Sequence, residues 1–441
     1  MNSAENSPVF EDSPPKVHLG SNRLGRSFVI TPTPNTLMRA LARHGYPGPI
    51  GGATSLESSL AFKGLLFLTF IIYIAPQAIF PALEPLHLGK VSACVATVGY
   101  GLYVATGHRL TVMFPEVKLV LWLVAFAILS IPISKWPGGS FQFFIDQFSK
   151  SVIVFFLVAN LLTSNTRFRQ FFWALAIFSA FNAVVGIKGY LSGTFGENGG
   201  FDRIPGAYGA ITSNANDLAL SLNLAIPFVW YLFITSKSRF TQLLTGGILV
   251  VSLACIVVTF SRAGFVTLVG LLLWFAYTRI KQAGLGLMIL SLLLIMTGLA
   301  ALATFGPEGY SERIVSIVDH SKDTTGSAIE RQDAMEGTLR GLLDYPFGVG
   351  LNMNILYLHE SGLGWIWVHN VYLQIASDLG VLPGIIFIIL LWKLTAAMRR
   401  ICSSQVSSPN LGLVAWAVEG SLVAFALAAM FHPAEIGRAH V

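Results

Sequence analysis

The sequence predicts an all-α protein, a polytopic transmembrane helical bundle of about 11–12 spans with one large outer loop containing short helices. Three observations carry that reading. Hydrophobic residues make up 54% of the 441-residue chain and charged residues only 11%, against roughly 25% charged in a soluble domain. Apolar runs of about 18 residues or more, long enough to cross a hydrocarbon core of about 30 Å as a helix, recur along almost the whole length. A single long polar island, residues 306–370, interrupts them. Inside a bilayer every backbone polar group must be satisfied within its own segment, which makes the runs helices.

Residues 1–58 are polar, with Pro, Ser and Arg throughout and no apolar core before Phe62. They lack the form of a signal peptide and read as a mostly disordered cytoplasmic tail. A transmembrane bundle follows over 59–305. Spans are expected near 62–82, 90–107, 117–134, 148–164, 168–190, 215–235, 241–260, 262–280 and 284–305, with two more near 374–398 and 411–432. Pro76 and Pro81 should kink or shorten the first. The basic residues fall in alternate short loops, among them Arg167 and Arg169, Lys237 and Arg239, and Arg399 and Arg400. That side is expected to be cytoplasmic, which places the loop 191–214 and the island 306–370 together on the outer face. The formal charge of +6 is therefore an orientation signal rather than a nucleic-acid footprint. Cys94, Cys255 and Cys402 lie far apart in or beside apolar runs and read as small apolar filler.

Within the island, Gly306-Pro307 and Gly309 break the preceding helix, and residues 327–343 read as a loosely amphipathic helix. Asp344-Tyr345-Pro346 ends it, because the residue before proline disfavours the helical region. Gly348 and Gly350 in PFGVG then permit a tight turn. Residues 355–367, with Tyr357, Trp365 and Trp367, suit the headgroup level. A C-terminal pair of spans occupies 371–434. The last residues, EIGRAHV, read like a translated sequencing adapter, so 435–441 are expected to be a non-native tail and a natural C-terminal part to be missing.

Several polar residues fall on the outer face, each with a structural reading beside a chemical one. His369, next to Asn370 where an apolar run restarts, can act as a base near neutral pH or merely bond a carbonyl. Arg331 lies off the apolar stripe of its helix, among Glu330, Asp333 and Glu336. It fits a solvated surface as well as an anion site. Arg262 sits in TFSRAGF at the outer end of two spans. A charge there must face a polar cavity, bind an anion through its planar fork, or snorkel. Asn214 or Asn216 can cap the helix that follows, whose N-terminus favours anions, and Arg203 adds charge nearby. No HExxH, DxD, Walker or dinucleotide pattern occurs, and no metal or other cofactor is expected.

Four segments taken in order, TSNANDLAL, FSRAG, ERQDAMEGTLRGLLDYPFGVG and HNVYLQIASDLGVLPG, resemble the O-antigen ligase and O-antigen polymerase superfamily. The resemblance runs over about 60–432, with its specific motifs between 200 and 385. Tyr345, Pro383 and Ala215 depart from the usual pattern, and none of these is a proposed catalytic position. The resemblance implies a metal-independent, inverting glycosyltransferase in the bacterial inner membrane with its active site on the periplasmic face. Its donor would be an undecaprenyl-diphosphate-linked glycan. Its acceptor would be lipid A-core or another glycan, and membrane lipids would surround both. Arg262 and Arg331 would clamp the diphosphate and His369 would serve as general base. Arg203, Asn214, Asn216, Asn370, Gly348 and Gly350 form the expected substrate-binding set. Ligase is the leading reading. O-antigen or exopolysaccharide polymerase and protein O-oligosaccharyltransferase are alternatives, and a flippase for the same lipid-linked glycan is the rival from another class.

Overall fold

The computed structural model describes residues 56–106, 115–193, 204–278, 327–403 and 409–432. The expected span 284–305, Arg203, most of the tail 1–58, the start of the island and the segment 435–441 lie outside them. Every regular element among the described residues is helical. We number these helices α1 (Leu56–Ile74), α2 (Leu88–Ala105), α3 (Pro115–Ser130), α4 (Pro137–Leu161), α5 (Asn165–Leu191), α6 (Ala215–Thr235) and α7 (Arg239–Val258). They continue as α8 (Arg262–Thr278), α9 (Ser327–Asp344), α10 (Asn354–Glu360), α11 (Val371–Leu379), α12 (Val381–Ser403) and α13 (Pro409–Ala428). Seven helical stretches among the described residues are long and apolar enough to cross a membrane. The chain is a multi-pass membrane protein.

Three boundaries differ from the sequence reading, each for a local reason. The first helix ends at Ile74 because Ala75, which precedes Pro76, turns left-handed (φ 46) in place of the helical conformation that a following proline disfavours. α4 begins at Pro137 rather than near 148. It runs through the polar Asp146 and Gln147 by widening to a π-helical turn over Phe144–Phe148, a bulge that helices tolerate without breaking. The expected span 374–398 is divided at Gly380 (φ 109). α11 stands apart as a short helix, and α12 is the crossing segment.

A cluster of large side chains from α5, α6, α7, α8 and α13 forms the core. Phe172 stacks on Phe228 with ring centroids 4.4 Å apart, and Trp274 on Trp416 at 5.4 Å. Helices close further where small residues meet. A Cβ on Gly264 would strike that of Ala219, and Asn223 Nδ2 donates to the Gly264 carbonyl at 3.0 Å, which locks α6 to α8. Gly64 and Gly99 bring α1 and α2 together against Ala96 and Ala61. Lipid offers no hydrophobic drive between helices, so such close contact supplies the association. Toward the opposite end of the bundle, Arg399 holds the buried Glu419 across α12 and α13 at 2.9 Å. The three cysteines are free.

Candidate functional site

The site is assembled from helix ends. Asn182 on α5 organises the loop before α6. It accepts the Ala207 N–H at 3.1 Å and the Thr212 hydroxyl, and donates to the Tyr73 carbonyl at 2.8 Å. That loop delivers Asn214 in an extended conformation, where its side chain accepts the Asn216 N–H at 2.8 Å and caps α6. Nearby, Phe260 adopts φ 55 to reverse the chain from α7 into α8. Ser261 caps α8 by accepting the Gly264 N–H at 3.0 Å and donates its hydroxyl to Asn216 Oδ1 at 2.7 Å. The first turns of α6 and α8 are thereby tied side by side, with Arg262 half-buried at the head of α8.

The third helix start is α11. Asn370 caps it, accepting the Leu373 N–H at 3.1 Å. The next residue, Val371, donates its N–H to the Ala429 carbonyl just past α13 at 2.8 Å. His369 stands half-buried immediately before this junction. From Ala429 the chain turns through Met430 and Phe431 to His432, whose Nε2 lies 3.2 Å from the Asn216 carbonyl and whose Nδ1 lies 3.4 Å from Asp217 Oδ1. Burial pushes the His432 pKa down to about 4, and the charge of Arg331 adds to that depression. Arg331, one turn into α9 and half-buried, thus belongs to the same cluster.

The structure therefore brings together the elements bearing Asn214, Asn216, Arg262, Arg331, His369 and Asn370. It sets Gly348 and Gly350 apart. Their turn is stitched to the far end of α11, where Val349 and Gly350 N–H groups donate to Ser377 and Asp378 carbonyls at 2.8 and 2.9 Å. A Cβ on Gly348 would meet the Asp378 carbonyl and one on Gly350 would meet Ser134. Nine residues of helix, roughly 13 Å, separate this turn from His369.

Two residues escaped the sequence reading. Asp378, fully buried, accepts the Asn354 N–H at 2.9 Å and also holds those of Asn352 and Met353. Burial raises its pKa to about 7 against the opposing pull of those N–H groups. Its signal was a carboxylate inside an otherwise apolar motif. The only mark of His432 was a titratable residue at the end of the last apolar run. Beside the island's helices, Lys135 reaches Glu360 at 2.5 Å and lies 5.1 Å from the Tyr345 ring centre. The Glu360 hydrogen bond raises the Lys135 pKa. Among the described residues no group of three His, Cys, Asp or Glu is placed to hold a metal ion.

A model of the O-antigen ligase family matches residues 247–389. Over this segment the chain is similar to members of that family. The match takes in Arg262, Arg331, Gly348, Gly350, His369 and Asn370, and it ends short of the final span. No curated protein matches the chain.

Proposed function

We propose that the protein transfers a glycan from undecaprenyl diphosphate to a sugar hydroxyl of an acceptor such as lipid A-core, on the periplasmic face of the inner membrane. The observation that carries this reading is the meeting of three helix N-termini, those of α6, α8 and α11, with Arg262 and Arg331 at the end of the bundle where His369 stands. Helix N-termini present backbone N–H groups and a partial positive charge, and a diphosphate is the anion they suit. The guanidinium fork adds bidentate bonds to phosphate oxygens.

The chemistry follows from that placement. The acceptor oxygen attacks the anomeric carbon from the face opposite the diphosphate, so the configuration inverts. The C1–O bond to phosphorus breaks, and its electron pair leaves with the lipid diphosphate. His369 takes the hydroxyl proton, a contribution of roughly 10²–10⁴-fold. Arg262 and Arg331 stabilise the charge that grows on the leaving phosphate oxygens. Asn214 and Asn370 hold the helix starts in place.

Proteoliposomes carrying the protein and an undecaprenyl-diphosphate glycan test the proposal, with lipid A-core and a second lipid-linked glycan as competing acceptors. Product masses should show transfer to lipid A-core that is lost in His369→Ala. Chain growth lost in the same variant would make the protein a polymerase. Passage of donor across the bilayer without transfer would make it a flippase.

A further inference from the structure

We propose that His432 and Asp217 form a proton-linked pair within the donor site, taking up one proton as the diphosphate binds. The inference rests on the donor reading above and adds two residues outside the segment matched to the family.

The argument is one of donors and acceptors. His432 Nε2 lies 3.2 Å from the Asn216 main-chain carbonyl, a group that only accepts. Its Nδ1 lies 3.4 Å from a carboxylate oxygen of Asp217, which when ionised also only accepts. A neutral imidazole has a single N–H, so it satisfies one contact and turns a lone pair toward the other. Both contacts become hydrogen bonds only when the pair holds one further proton. With the His432 side chain 8% exposed and that of Asp217 43% exposed, the imidazole side is the sheltered one.

Two features keep that proton off His432 without an anion beside it, burial first and then the charge of Arg331, which together set its pKa near 4. At neutral pH the contact with Asp217 is therefore not an ion pair, although the spacing resembles one. Beside the pair, the charged or titratable groups at the helix starts that meet here are Arg262 on α8, Glu330, Arg331 and Asp333 in the first two turns of α9, and His369 ahead of α11. A diphosphate held by the two arginines offsets the charge of Arg331 and raises the proton affinity of His432. The imidazolium then completes both hydrogen bonds and adds a third cation to the site.

The sign follows from linkage. Binding raises the pKa of the pair, so the gain in affinity is complete below the unbound pKa and fades as pH rises through the bound value. Between those limits the donor Kd should increase by up to about tenfold per pH unit.

Isothermal titration of the full chain in nanodiscs tests this with a prenyl-diphosphate-linked monosaccharide, a diester whose phosphates do not titrate near neutrality. Heats measured in two buffers of unlike ionisation enthalpy give the protons taken up. Wild type should show uptake rising toward one proton as pH falls from about 8 to 5. Asp217→Asn offers Nδ1 an N–H without an extra proton, so it should bind the probe with uptake lost. His432→Gln should lose the uptake too, and both variants should elute as single monodisperse peaks. Binding by wild type without uptake, or uptake unchanged in both variants, overturns the pair alone. Failure of wild type to bind the probe overturns the donor site and the pair together.

Discussion

Single side chains in this protein act through what they hold. Asp378 is an example, a buried carboxylate that gathers the backbone N–H groups of Asn352, Met353 and Asn354. Asp378→Ala leaves those buried donors unpaired, at about 1–3 kcal/mol for each group. It should lower the melting temperature in detergent well beyond Asp378→Asn, which keeps an acceptor. The raised pKa of Asp378, about 7, fixes the pH dependence. The folded protein binds this proton more tightly than the unfolded chain, whose carboxyl titrates near 4. Stability contributed by Asp378 is thus present below about pH 4 and lost as pH rises toward 7. Hydrogen-exchange protection factors at residues 348–354 should fall across that window in wild type and stay level in Asp378→Asn. Arg262→Lys and Arg331→Lys should each slow transfer, since an ammonium cannot form the bidentate fork. Unchanged initial rates in both variants would remove the clamp.

Helices are positioned by their caps and by the glycines between them. Ser261 does two things at once, capping α8 and bonding Asn216 on α6. Ser261→Ala should cost about 1 kcal/mol of stability as a lost cap and should raise the KM for donor by separating the two helix starts. A thermal shift with no change in KM would reduce Ser261 to a cap alone. Gly380 holds φ 109, with the Phe347 carbonyl carbon 2.9 Å from where a Cβ would sit. Much at this scale was legible beforehand. The apolar runs placed most helices, and TSNAND placed the start of α6 because Asn before an apolar run is a capping signal. What was not legible depended on conformation. A π turn carries α4 through Asp146, which reads as loop by composition, and nothing local to Gly380 distinguishes a break in a span from a glycine within one. The convergence of Asn216, Arg331 and His432 is tertiary, with no trace in spacing. His432 was therefore passed over.

At the scale of the whole molecule, two ends of one bundle are built differently. One end holds the helix starts of the candidate site, and toward the other Arg399 meets Glu419. Glu419 has 3% of its side chain exposed and Arg399 58%, so the carboxylate is the member that suffers from losing its partner. Arg399→Ala should lower the melting temperature more than the double variant Arg399→Ala with Glu419→Gln. Equal shifts would mean that the pair stabilises the seam only weakly. The orientation proposed for the chain is open to labelling in a cysteine-free background. Ser361→Cys should react with an impermeant thiol reagent on intact cells, and Ser238→Cys only after lysis.

The join between α11 and α13 has a consequence for which side chains it tolerates. Val371 and Ala429 meet through main-chain atoms on both sides. A bond between an amide and a carbonyl is indifferent to most side chains at those positions. Substitutions at Val371 and Ala429 that keep the backbone path should therefore leave the join intact. The matched segment ends at residue 389, inside α12, while the Val371–Ala429 bond lies partly beyond it and fastens the end of α13 to the start of α11.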